Sequence, residues 1–403
     1  MSSRDRTALA LVVWAVMLSQ TLLYPGVDRL VAAMGLGSGN YLDASTWFLA
    51  AEFAAFALAA GVWGAASDTA GRRIPFVAAG AVLGALGYGV LALLGPTNPA
   101  MWLVLVVRFL QGAATVGAFS LAMSMLADLG EGNGRNMGAA GIAIGLGTAL
   151  GAPLGGQLYS IGPFVPLWTG AALLTLVGAA TLLVSDHAPE GDDEGLREAL
   201  GALRRTPSLA VPFAFGFADR MTAGFFALVG TVYFRTAFEL SPAETGITLA
   251  LFFAPFGLLQ YPFGRLSDRF GRTAPIVAGS AFYGIVVLGI GAAEGAFPVR
   301  GDALLAVQFG MVAVGVLGAL MAPATMALVV DLAPTGERGV ALGGFNIAGS
   351  LGFLAGVVGG GLIADDFGYP AAFAFAGGAE ILLALVAIPA FLKLQISREK
   401  MFS

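Results

Sequence analysis

Among the ionised side chains inside otherwise apolar runs of this chain are Glu52, Arg108 and the neighbours Asp219 and Arg220. In an apolar medium an unpaired arginine costs at least about 2.5–3.5 kcal/mol, so Arg108 must face protein and have a partner. Glu52 is the candidate. It lies about nine residues into its run and Arg108 about eight into its own, and at roughly 1.5 Å per residue the two depths agree within a turn. A dry carboxylate beside an arginine has a proton affinity set by that neighbour, which suits it to bind and release a proton; a permanent structural ion pair is the equal alternative. Asp219 and Arg220 sit about ten residues into another run, suited to a ligand or a proton. Adjacent helical positions point about 100° apart, so the two need different partners. Gln20, Tyr24 and Gln111 complete the polar set in these runs.

Other chemistries lack their residues. There is no cysteine and one histidine, His187, so there is no thiolate or His-Glu-x-x-His zinc site and no thiol nucleophile, and a serine triad is not expected. Neither Lys393 nor Lys400 stands in a phosphate-binding loop, which removes the sign of ATP drive. No cofactor and no metal is expected, and an enzyme reading has no candidate group. The net charge of −5 offers nucleic acid no basic surface.

The elements that must position these residues are membrane helices. Apolar residues make up 58% of the 403 positions and charged residues only 11%, too few to coat a soluble fold of this size. The apolar runs are continuous, which excludes an alternating β-barrel pattern. They fall at about 8–32, 44–66, 74–95, 100–127, 136–159 and 164–184, and then at about 209–234, 243–265, 274–293, 302–330, 339–363 and 369–392. At about 20 residues per crossing these are twelve spans. The first exceeds a signal-peptide core and reads as a retained helix. The acidic break from 185 to 207 reads as a linker between a unit at 1–184 and a unit at 208–403, with a short surface helix over 194–205 or a plain tether.

With the N-terminus inside, fifteen arginines and lysines fall on inner segments and three, Arg29, Arg235 and Arg300, on outer ones. The positive-inside rule then places both termini in the cytoplasm. Many Arg, few Lys and abundant Ala and Gly suggest a GC-rich, salt-tolerant prokaryote.

The two halves repeat each other. Gly64, Asp68, Gly71, Arg72 and Arg73 return as Gly264, Asp268, Gly271 and Arg272, with Arg269 beside them. Asp128 and Arg135 return as Asp331 and Arg338, and Gly147, Gly151, Gly155 and Gly156 as Gly352, Gly356, Gly360 and Gly361. Features present twice belong to scaffold or gating. Glu52 and Arg108 are present once, with Phe252 and Met311 as counterparts, and Asp219 and Arg220 answer to Ser19 and Gln20. Charges that the repeat does not demand are the better functional candidates. Glu380, mid-span in the last run, reads as a structural or local group, and the glycine series as small-xxx-small close packing.

These motifs make the chain resemble the major facilitator superfamily over nearly its whole length, and within it the twelve-helix drug/proton antiporters. Gly64-x-x-x-Asp68-x-x-Gly71-Arg72-Arg73 resembles that family's loop between helices two and three, Arg108-x-x-Gln111-Gly112 its helix-four pattern, and Gly147-x-x-x-Gly151-x-x-x-Gly155-Gly156 its helix-five exporter motif. The proline is displaced by one position, to Pro153, which turns its kink by about 100° around the helix. The resemblance implies an all-α integral membrane protein with two pseudo-symmetric six-helix bundles. It implies alternating access, loops that latch the bundles on the cytoplasmic side, and a tight seal at the helix-five glycines. The expectation is a monomer in the cell membrane, in contact with lipid, that exchanges a small amphipathic substrate for protons. A proton symporter or uniporter for a sugar or organic acid, and a transport-dead sensor, are the alternatives.

Overall fold

The computed structural model describes residues 3–37, 39–128, 133–182, 184, 186, 201, 203–334 and 338–402. Among these the regular structure is helical. The first apolar run forms α1 (Ser3–Thr21), a 3-10 turn at Tyr24–Gly26 and α2 (Val27–Ala33). There follow α3 (Tyr41–Ala70), α4 (Ile74–Leu94), α5 (Met101–Asp128), α6 (Asn133–Ile161) and α7 (Val165–Thr181). The second half contains α8 (Ala210–Phe225), a π-helical turn at Phe226–Gly230, α9 (Thr231–Ala237), α10 (Pro242–Phe270) and α11 (Thr273–Ala296). It ends with α12 (Arg300–Leu332), α13 (Arg338–Phe367) and α14 (Tyr369–Phe402). Ten of the described helical segments are long and apolar enough to cross a membrane. Val165–Thr181 is apolar but shorter, and the stretch from α8 to α9 is interrupted by its π turn. In hydrocarbon the backbone must satisfy its own hydrogen bonds, so a chain this apolar has only the helix open to it once alternation is absent.

Two compact units emerge, one of Met1–Asp193 with Ala227–Gly257, the other of Glu194–Phe226 with Leu258–Ser403. In the first, α1 packs on α6 and α7, and α5 on α3 and α4. Glycines permit the close approach. A methyl group at Gly147 would lie 2.8 Å from the Trp14 carbonyl oxygen, and one at Gly155 would overlap the Leu22 carbonyl. Thr21 adds a hydrogen bond to the Gly147 carbonyl at 3.2 Å. Another face of α6 meets α10: Gly156 lies against the Pro242 carbonyl, and Gly145 sits 3.4 Å, Cβ position to Cα, from Gly257. Pro153, inside α6, lies beside Gly246 of α10.

The second unit repeats the arrangement with its own glycines. Gly352 and Gly356 of α13 lie against the Phe217 and Met221 carbonyls of α8, and α11 packs on α12 and α14. Glu380 of α14 is fully buried and accepts hydrogen bonds from Thr222 (3.1 Å) and Ser280, which ties α14 to α8 and α11.

Candidate functional site

Glu52 on α3 and Arg108 on α5 form an ion pair in the first unit, both without solvent exposure. Gly112 makes the crossing possible, since a methyl group there would lie 2.9 Å from the Glu52 carbonyl oxygen. Arg108 donates to Gln111 one turn along its own helix, and Gln111 donates to Thr115 at 3.1 Å. Gln20 of α1 donates to the other Glu52 carboxylate oxygen at 3.4 Å. Three helices therefore converge on one carboxylate. The guanidinium lies 4.7 Å from the Phe48 ring centroid and 5.6 Å from that of Tyr88, so aromatic faces support the cation where no second carboxylate does. Arg108 Nε finds no acceptor among the described residues. Tyr24, buried in the turn after α1, is within electrostatic reach of both charges.

Burying such a pair is expensive: the desolvation cost is several kcal/mol per ion, and a hydrophobic pair of similar volume is often as stable. The repeat supplies that comparison within one chain, for Phe252 and Met311 are buried apolar residues. The fold does not require charges at positions 52 and 108.

Asp219 and Arg220 behave differently. Asp219 is half-buried and Arg220 exposed, and neither forms an ion pair among the described residues. The Arg220 stem lies over Gly349 of α13, 3.0 Å from the position a β-carbon would take there. Among the described residues no cluster of His, Cys, Asp or Glu has the geometry to hold a metal ion.

The loop motifs resolve into local devices. Gly71 and Gly271 adopt left-handed φ values of 61° and 86° at the ends of α3 and α10, where only glycine is unstrained. Asp68 pairs with Arg73 at 3.4 Å. At the start of α4 the helix N-terminus is held by Asp186 of the linker, which accepts the backbone N–H groups of Arg73 (3.0 Å) and Ile74 (3.3 Å). In the second unit Arg272 joins Asp268 (2.6 Å) to Asp331 at the end of α12 (3.3 Å). Burial opposes the Arg272 charge, but its bonds to the two carboxylates outweigh it and hold the guanidinium above its ordinary value. Arg72 and Arg269 are exposed, Gly64 has no neighbour within contact of a β-carbon position, and Gly264 lies 3.6 Å from Pro323 Cβ. The side chains of Asp128, Arg135 and Arg338, and all of His187, lie outside the described residues.

Two features escaped the sequence reading. Asp28 of α2 pairs with Arg235 of α9 at 2.6 Å, and Arg235 also donates to the Leu240 carbonyl at 3.2 Å. Tyr159 of α6 donates to the Leu23 carbonyl at 3.0 Å while its ring lies over Gly26. The partners in the first pair are 207 positions apart, and no local pattern announces them.

The family model described as Major Facilitator Superfamily matches residues 9–231 and 213–400. The chain is 24% identical over 350 residues to magnetosome protein MamH of Paramagnetospirillum magneticum, covering 80% of this chain and 77% of that one. It is 28% identical over 238 residues to the class C tetracycline resistance protein of Escherichia coli, covering 56% and 58%. Its fold is similar to that of the human organic anion transporter MFSD10, with a TM-score of 0.68 at 21% identity over 96% of this chain and 99% of that one.

Proposed function

The chain belongs to the major facilitator superfamily, and on that premise we propose that it is a twelve-span secondary transporter that exports a small amphipathic molecule in exchange for protons. It is a multi-pass membrane transporter of small molecules by family; the finer reading rests on one observation. The buried Glu52–Arg108 pair, joined by Gln20, occupies positions that the other half fills with Phe252 and Met311. A costly charged site that the scaffold does without is best accounted for by work, and the work open to a carboxylate held by an arginine is to take up and release a proton. Arginine distribution supports both termini in the cytoplasm, and the family's bacterial relatives support a prokaryotic cell membrane. A monomer suffices, because the site is complete within one chain.

Alternating access requires a sealed state that can open. Packing of Gly145 and Gly156 on α10, with the Asp28–Arg235 pair, is the seal in this reading, and the loops after α3 and α10, held in shape by the Arg73–Asp68 and Arg272–Asp268–Asp331 contacts, are the cytoplasmic latches. Arg220, exposed and without an ion pair among the described residues, favours a second reading, a proton symporter for an organic anion. Uptake into proteoliposomes with an imposed pH gradient separates the two, using tetracycline, an amphipathic amine and an organic anion as probes. Accumulation on the acidic side supports exchange, and accumulation on the opposite side supports symport. Flux of all probes independent of the gradient would overturn both.

A further inference from the structure

An apolar cleft of about 510 Å³ opens in the second unit between α8, α13 and α14. Its floor is Phe213, Phe217 and Met221, on successive turns of α8. The space exists because the facing positions are small: Ala214, Gly344, Ala348 and Ala379. At one end stands Leu203, and the next two residues are Arg204 and Arg205, both exposed. All twelve lining residues are apolar.

We propose that this cleft is a binding site for one anionic phospholipid, with an acyl chain along α8 and the phosphate on Arg204 and Arg205. Sites for amphipathic solutes combine apolar walls with a few placed polar groups that fix orientation, and this lining has none. Its chemistry recognises a hydrocarbon chain by volume alone. At about 510 Å³ the cleft lies within the roughly 300–1,000 Å³ of sites that hold a single small ligand, a size that suits one acyl chain. From Phe213 to Met221 the floor rises about 12 Å at 1.5 Å per residue, within the roughly 15 Å depth of one leaflet. An apolar slot of this kind loses packing contacts unless hydrocarbon fills it, and in a membrane the tail of a neighbouring lipid is the filler always at hand. The arginines determine which lipid that is. Basic side chains at the polar end of such a cleft favour a phosphate that carries net negative charge over a zwitterionic headgroup.

This inference concerns binding alone and stands apart from the direction of transport and from Glu52. It is tested on the purified full-length protein by native mass spectrometry with phosphatidylglycerol or phosphatidylcholine bearing the same chains. The expected result is one retained phosphatidylglycerol, preferred about 30-fold over phosphatidylcholine at low salt. The R204Q/R205Q variant should bring the two lipids to near-equal retention. A214F/A379F, which fills the cleft, should lose the retained lipid. Equal retention of both lipids by the unaltered protein, no retained lipid at all, or full retention by A214F/A379F would each overturn the proposal. R204Q/R205Q changes exposed positions, so its headgroup ratio, read on protein whose circular dichroism matches that of the unaltered chain, decides the matter even where the filled variant is unstable.

Discussion

Glu52→Gln and Arg108→Met test whether the buried pair is held as a unit. Glu52→Gln leaves the guanidinium with Gln111 and two aromatic faces but no carboxylate. Arg108→Met leaves the carboxylate with Gln20 at 3.4 Å. Removing one member of a buried pair costs about 3–5 kcal/mol. Each single variant strands a charge; glutamine keeps an acceptor oxygen for the guanidinium, and the carboxyl left by Arg108→Met can take a proton where a guanidinium cannot lose one, so both should fall within that range. In the double variant no charge remains and Met can fill the space between Phe48 and Tyr88. That variant should lose only about 1–2 kcal/mol, a non-additivity of several kcal/mol against at most about 0.5 for independent sites. The assay is unfolding of the purified protein in mixed micelles, monitored by far-ultraviolet circular dichroism as denaturing detergent is titrated in. Single-variant losses below about 1 kcal/mol that simply add would refute the reasoning, because the charges would then be hydrated and independent.

Further outcomes follow from the same geometry. Gly145→Cys/Gly257→Cys puts two cysteines on closely facing backbones, where a β-carbon at either position lies 3.4–3.5 Å from the other residue's Cα, in a chain with no other cysteine; oxidation should stop transport and reductant restore it, measured in one proteoliposome preparation. Gly155→Val puts a branched side chain into the Leu22 carbonyl and should destabilise the protein by about 1–3 kcal/mol in the same unfolding titration, whereas Gly64→Ala, which meets nothing and lies within α3, should not lower the midpoint. Asp186→Ala removes the carboxylate at the start of α4 and should cost about 1 kcal/mol, with faster hydrogen exchange of the Arg73 and Ile74 amides.

Depth along a span is readable from one sequence, and rotation about the helix axis is not. Glu52 and Arg108 could be matched because each lies a countable distance from the end of an apolar run, and a buried arginine demands a carboxylate at its own level. The glycine series was equally legible, since a spacing of four keeps small residues on one face. That this face meets α1, while the next meets α10, depends on tertiary placement that the spacing does not contain. Gln20 could be listed as a polar residue in a span, but its aim at Glu52 follows from how α1 is turned. Asp186 stood in a polar linker among many acids, and only the fold brings it to the backbone of Arg73. For Glu380 the reading of a local role agrees with a carboxyl held by Ser280 and Thr222, though neither partner could be named beforehand. The cleft between α8, α13 and α14 was invisible, being made by small residues on three helices whose packing alone determines the space between them.

Proton movement driven by substrate is the most direct test of the account. A pH-sensitive dye is sealed in proteoliposomes, and whichever of tetracycline, amphipathic amine or organic anion shows flux is added outside. The unaltered protein should shift the internal pH. Glu52→Gln should abolish that shift while exchange of labelled for unlabelled substrate continues. A pH change of undiminished size with Glu52→Gln would contradict the assignment of coupling to the Glu52–Arg108 pair.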